Sequence, residues 1–380
     1  MNIDLDNIIN KKNNDLTNFL KTKEDGVFYT GHASILVRLN NKKYLFDYIN
    51  NTNFYGNSWI FFPNQIIDKR LFNVDAVFVS HIHQDHYDPA LLRKFQKKNI
   101  PIYVLDGRPS FKFSLKKERI KVKYIPIKTK TYIDESTWVY GCLHEYNDID
   151  SSMLISNNNL SVYHGNDNFI TEKTLKPFKK KVGKIDVACV PFAYINYYPY
   201  LLNGISKKIS KSEATRVESL FMDYGIKQTK ILKPKVIIPF GSNLFHLDDP
   251  KCEMNKGVAT PIDFVNYAKI KDKSHRNNYK TMLSGSFCLK NNNKISLYYE
   301  NISRKKFDDE LVKFTYKKKQ LSKKTKNVKK IMITKNKLKL IKNKIMTNIN
   351  KVDHNIVISA KSFKYEKIII NLKNDSVIHI

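Results

Sequence analysis

The chain holds four cysteines in 380 residues, Cys142, Cys189, Cys252 and Cys288, and no Cys-x-x-Cys pair. That excludes a disulfide framework and a zinc ribbon, and it fits reduced thiols in a cytosolic protein. Long apolar runs are missing too: stretches such as 77–79 and 368–370 have strand length, far short of the ~20 residues a membrane span needs. Met1-Asn2-Ile3-Asp4-Leu5-Asp6 has neither a basic start nor an apolar stretch, so no secretory signal is expected. No repeat recurs at a solenoid period.

Acidic residues are scarce, 35 Asp+Glu against 67 Lys+Arg, for a net charge of +32. Residues 301–380 alone carry 22 Lys+Arg against 6 Asp+Glu, or +16. Clustered Lys and Arg neutralise phosphates and release counterions, so the stretch from Lys305 to Lys344 is a candidate nucleic-acid surface. The excess is mostly Lys, in a chain also rich in Asn and Ile, and a solvated basic face needs no ligand. Hydrophobic residues, at 42%, suffice for a sizeable core.

The apolar pattern predicts three regions: a polar arm or helix over 1–22, an α/β domain over 23–295, and a Lys-rich appendage over 296–380. Residues 27–29, 35–39 and 44–47, with a turn at Asn40-Asn41, predict a hairpin. Short apolar runs predict strands at 75–80, 101–105, 121–125, 153–155, 160–163, 186–190 and 236–238. Asp88 as N-cap and Pro89 at the first helical position predict a helix to Phe95, and 211–224 has helical spacing. Strands alternating with helices mean a layered α/β domain. In the appendage, 356–359 and 365–372 read as strand-like.

The chemistry is concentrated in Ser80-His81-Ile82-His83-Gln84-Asp85-His86. His81 and His83 alternate in an extended loop, so both imidazoles can face one side. Asp85 and His86 follow the bend and can serve a second position. Imidazole nitrogen and carboxylate oxygen suit Zn²⁺, with Fe and Mn as alternatives. Further ligands must come from distant loops, and His144, Asp167 and His246 stand near predicted strand ends, where ligands of open α/β sheets converge. His164 competes with Asp167 and is read as supporting rather than ligating.

These residues resemble the metallo-β-lactamase superfamily over about 27–290. The matching signatures are Thr30-Gly31-His32-Ala33-Ser34, Leu45-Phe46-Asp47, the 81–86 cluster, His144, Asp167 and His246. The resemblance implies an αββα sandwich, here with a small basic C-terminal appendage. It also implies two divalent metal ions, one held by His81, His83 and His144, the other by Asp85, His86 and His246, with Asp167 bridging. His32 and Asp47 would fix loops behind the ligands. The family's Gly-Asp-Thr is Gly165-Asn166-Asp167-Asn168 here, one residue longer.

Within that superfamily the chain is similar to the metallo-β-lactamase-like part of CMP-N-acetylneuraminate hydroxylases and their bacterial relatives. Trp59 with Pro63, 79–87, Pro101-Ile102-Tyr103, 144–151, 163–168, Tyr197-Tyr198-Pro199 and Pro239-Phe240-Gly241 carry that likeness. It departs in lacking a Cys-x-His…Cys-x-x-His pair, and with it a Rieske centre. Hydrolysis by a metal-bridged hydroxide is therefore expected, with Asp85 and Asp167 at the reacting centre and Tyr197 and Tyr198 near the substrate. The expected substrate is small and anionic: a phosphodiester, lactone, amide or nucleotide sugar. A nuclease and a di-iron oxygenase component fed by a separate electron donor are the alternatives.

Overall fold

The computed structural model describes residues 15–324 apart from 51–52, 55–58, 148, 196–197, 201, 203, 248–254 and 256–257, together with 355–358, 368–371 and 376–379. Contacts divide the chain into two units, Met1–Lys319 and Gln320–Ile380.

Two large sheets build the first unit. The eight-stranded one runs β17 (Lys294–Tyr298), β16 (Phe287–Asn291), β1 (Asp25–Gly31), β2 (Ser34–Leu39), β3 (Lys42–Phe46), β6 (Ala76–Val79), β7 (Ile102–Leu105) and β8 (Lys123–Ile125). The six-stranded one runs β14 (Val236–Pro239), β13 (Val187–Val190), β12 (Ser161–His164), β11 (Ser151–Ser156), β10 (Trp138–Leu143) and β9 (Thr131–Tyr132). A small third sheet joins β15 (Leu244–His246), β5 (Trp59–Phe61) and β4 (Asn53–Phe54).

Strand alternation makes the layers, because successive side chains leave opposite faces. On β6, Ala76 and Phe78 join a core shared by both sheets, with Val27, Val37 and Phe46 meeting Val139, Ile155, Val162 and Ile238. Val77 and Val79 point the other way, onto α1 (Pro89–Lys97) and α2 (Pro109–Lys117), with Leu92, Phe95 and Phe111. The outer face of the second sheet is covered by α3 (Glu172–Val182), α4 (Lys207–Leu232) and α5 (Pro261–Lys271), through Phe178, Ile226 and Phe264. The result is helix, sheet, sheet, helix.

Local signals act where they stand. Asn40 and Asn41 have φ of 50° and 64° and turn β2 into β3, the left-handed geometry that Asn tolerates. Asp88 accepts the Leu91 amide and caps α1, with Pro89 following. Strand β10 carries no comparable signal and was not among the expected strands. It is a buried Trp-Val-Tyr-Gly-Cys-Leu segment paired with β9 and β11, so His144 leaves the end of one strand rather than entering the next.

The first unit extends past residue 295, through β17 and into α6 (Arg304–Lys324), whose Phe307, Leu311 and Phe314 pack on Ile60, Phe62 and Phe245. Residues 15–21 are helical, with Leu16 and Phe19 buried under the first sheet. Among its described residues the second unit holds a three-stranded antiparallel sheet of Asn355–Ile358, Ile368–Asn371 and Ser376–His379. Residues 325–344 of the Lys305–Lys344 stretch lie outside the described residues. No helix among those described is long and apolar enough to cross a membrane.

Candidate metal centre

Parallel pairing brings the chemistry to one edge. β3 and β6 are parallel, as are β12, β13 and β14, so the residues following them leave the carboxyl ends of their strands together. Asp47 follows β3, His81 follows β6, Asp167 follows β12 and Gly241 follows β14.

Two clusters of metal-ligand atoms form there. His81, His83 and Asp167 offer one set and His32, Asp85 and His86 the other, each within 4.8 Å of one another. His81 Nε2 and His83 Nδ1 face each other at 2.7 Å. Asp167 Oδ2 stands between the clusters, 3.9 Å from His81 Nε2 and 3.1 Å from His86 Nε2. The chain turns sharply after His83, whose carbonyl accepts the amides of His86 and Tyr87, and this swings Asp85 and His86 to the second cluster.

A buried scaffold orients the rings. Asp47 accepts the Ser80 amide at 2.7 Å, the Ser80 hydroxyl, and His86 Nδ1–H at 3.0 Å. His86 Nε2 is thereby left facing the cluster. Ser80 Oγ lies 3.1 Å from His81 Nδ1; with the ring's hydrogen there, His81 Nε2 also faces inward. His32 Nε2 pairs with Asp85 Oδ2 at 3.1 Å, and its ring stacks on Phe61. His164 stands behind, buried, its Nε2 donating to the Ala33 carbonyl at 2.9 Å.

The electrostatics are those of a cation site. Burial, then His86 and His83, hold His81 well below the usual histidine range, so it is neutral and its lone pair is available. Burial opposes ionisation of Asp85, but His86 and the His32 hydrogen bond prevail and hold it below the usual carboxylate range. Burial likewise opposes protonation of His86, yet Asp167 and Asp85 hold it well above the usual range. The carboxylates thus draw a positive charge to this point. A divalent ion would supply it, and Asp150 Oδ1 is buried there without a hydrogen-bond partner. These residues fit a metal.

Not every expected ligand joins. His144 Nδ1 accepts the Tyr146 amide at 3.0 Å, and His246 sits edge-on to Trp59 at 5.5 Å. Neither falls in the two clusters. Asp150, which was not singled out from sequence, does come close: its Oδ1 is 3.9 Å from His81 Nε2. Burial and the neighbouring Asp167 hold its carboxyl above the usual range. The available signal was its place immediately before β11. Arg108, also missed, is buried and donates to the carbonyls of Ser80 and, at 2.6 Å, Ile149, tying the two ligand loops together.

The clusters open into a cavity of about 500 Å³. Trp59, Phe169, Tyr194 and Phe221 line it beside His83, Asp85, Asp150 and Asp167. No Lys or Arg is among its described lining residues, so none of those residues would supply a cation beside the anionic substrate expected from the sequence. Tyr197 lies outside the described residues. Tyr198 is exposed and not among the lining residues; Glu213 of α4 accepts its hydroxyl at 2.6 Å.

Residues 26–217 match the family profile described as a beta-lactamase superfamily domain. A putative Rieske 2Fe-2S iron-sulfur protein of Mycolicibacterium smegmatis is 35% identical over 78 residues, 20% of this chain and 15% of that protein. The chain therefore matches only a small part of that relative's length. Among solved structures, Igni18, described as a novel metallo hydrolase of Ignicoccus hospitalis, is 14% identical with a TM-score of 0.47, over 73% of this chain and 99% of its own. An isothiocyanate hydrolase from Delia radicum gut bacteria is 14% identical with a TM-score of 0.48, over 69% and 98%. CmlA, a diiron beta-hydroxylase from Streptomyces venezuelae, is 15% identical with a TM-score of 0.43, over 66% and 52%.

Proposed function

Because the chain belongs to the β-lactamase superfamily, we propose that it is a metal-dependent hydrolase acting on a small molecule. The observation that carries this reading is the convergence of two ligand clusters, joined by Asp167, at the floor of one cavity. Bound there, two divalent ions would supply an activated water and Lewis acidity near neutral pH.

His81, His83 and Asp150 would hold one ion, Asp85 and His86 the other, and Asp167 would stand between them. His144 and His246 are left outside this set, since one ring nitrogen of His144 accepts a backbone amide and the ring of His246 packs on Trp59. Asp85 is backed by His32 and is placed to orient a water or take its proton. Asp47 and Ser80 keep the His86 and His81 rings aimed.

The test is turnover of ester, lactone, amide and phosphodiester panels by protein loaded in turn with Zn²⁺, Mn²⁺ and Fe²⁺. Activity should vanish with a chelator and return with metal; no turnover in any form would overturn the reading. A second reading has one observation in its favour. Three carboxylates beside three imidazoles form an oxygen-rich set that suits iron as well as zinc, as an oxidation fed by a separate electron donor would require. Iron with an optical absorption band in the purified protein would favour it.

A further inference from the structure

The described lining of the cavity divides into two parts. At the floor stand His83, Asp85, Asp150 and Asp167; the walls are Trp59, Phe169, Tyr194, Ile195, Phe221 and Leu244. The aromatic rings form one assembly. Phe221 stacks on Tyr194 with centroids 4.8 Å apart and planes at 21°, and Phe169 meets Phe221 edge-on at 4.9 Å and 84°. Those are the offset-stacked and T-shaped arrangements that aromatic quadrupoles prefer, so the wall is held in place by its own contacts. Tyr194 nevertheless remains 39% exposed, and apolar surface facing a cavity is surface a ligand can remove from water.

Charge narrows the occupant. The described cavity residues include three carboxylates and no Lys or Arg. Asp85, Asp150 and Asp167 would be matched by the ions they hold, and a phosphate or carboxylate remote from the reacting bond would meet the aromatic wall with no described Lys or Arg beside it, an unfavourable place for a partly desolvated anion. An uncharged flat group meets no such penalty and can lie against Phe221 and Tyr194.

We propose that this site selects a neutral substrate whose reacting bond carries an aromatic or cyclic apolar group, with the Phe169–Phe221–Tyr194 wall as the specificity element. The inference rests on the hydrolase reading for its reaction, though not for its binding.

Trp59 and Trp138 are the chain's two tryptophans, so Trp138→Phe leaves the cavity tryptophan as the sole reporter. Full-length protein in that background, metal-free and Zn²⁺-loaded, is titrated with phenylacetamide, cyclohexylacetamide and phenyl phosphate while Trp59 emission is followed. Both neutral amides should saturate in both forms. Phe221→Ala should weaken phenylacetamide roughly 10-fold and Phe221→Leu less than about 3-fold, with unchanged far-UV circular dichroism. Tighter binding of phenyl phosphate than phenylacetamide by the metal-free chain would overturn the proposal, as would amide binding indifferent to Phe221→Ala. Phe221-dependent amide binding with no turnover of any aryl ester or amide would sink the hydrolase reading alone. Turnover of small phosphodiesters with a kcat/KM indifferent to Phe221→Ala would sink this proposal alone.

Discussion

Asp47 Oδ2 lies 3.0 Å from His86 Nδ1, and both side chains are fully buried. Ser80 donates twice to the same carboxylate, so one acid fixes a ring in the second ligand cluster and the loop that leads to the first. Asp47→Asn keeps the shape but turns an acceptor into a mixed donor and acceptor. It should lower metal affinity about 10- to 100-fold, the usual effect of losing such a backing carboxylate. Competition against a chromogenic chelator measures this, with circular dichroism confirming the fold; wild-type affinity would show that the ring needs no such support.

Asp150 and His144 make opposite predictions about the third donor. Asp150→Asn should reduce bound metal by about one ion per chain, whereas His144→Ala should leave the content unchanged. Elemental analysis after gel filtration decides between them. Metal loss in the His144 variant with retention in the Asp150 variant would restore the histidine ligand that the family resemblance implied.

Gly241 lines the cavity at φ +78°, and a Cβ there would stand 3.0 Å from Asp167 Oδ1. Gly241→Ala therefore combines a left-handed penalty of roughly 1–2 kcal/mol with pressure on the carboxylate between the two clusters. Urea denaturation should show the modest stability loss. Turnover should fall more than about 10-fold, as when a catalytic group is misplaced. Equal small losses in both would mean that Asp167 moves aside freely.

Away from the site, Asp186 Oδ2 pairs with Lys290 Nζ at 2.7 Å, the side chains only 3% and 2% exposed. Burial opposes ionisation of Asp186, but the Lys290 hydrogen bond and charge win and hold its carboxyl below the usual range. A depressed folded-state pKa contributes stability that is present above the unfolded value of about 3.9 and lost as pH falls through the folded value. Thermal melts from pH 7 down to pH 2 should therefore show an acid limb that Asp186→Asn flattens. Lys290→Met should cost about 3 kcal/mol at pH 7 by stranding the acid, the lower end of the range because Lys184 and Lys235 each approach Asp186 Oδ1 at 3.7 Å. An unchanged acid limb in Asp186→Asn would assign acid sensitivity to other groups.

Features that depend on neighbours a few residues apart were legible in the chain alone. Asn40-Asn41 turns a hairpin and Asp88-Pro89 starts a helix because each acts on backbone beside it. Continuous apolar runs in β1 and β6 announce strands buried on both faces. His81, His83, Asp85 and His86 stand together because a single loop carries them. Strand β10 was less legible: Trp138, Val139 and Tyr140 favour a strand, but Gly141 interrupts the apolar run, and pairing with β9 and β11 holds the segment extended.

The sequence by itself determined the layered α/β plan, the family resemblance and the metal-binding character of the 81–86 loop, because propensity, periodicity and ligand chemistry are local. Only the tertiary structure decided that Asp150 stands 3.9 Å from His81, that Arg108 ties their loops together, and that Phe169, Tyr194 and Phe221 meet in one wall. Those relationships join residues tens of positions apart, brought together when two sheets pack and parallel strands end at a common edge. No spacing along the chain encodes that distance, and the charge of the cavity followed from it rather than from the +32 of the whole.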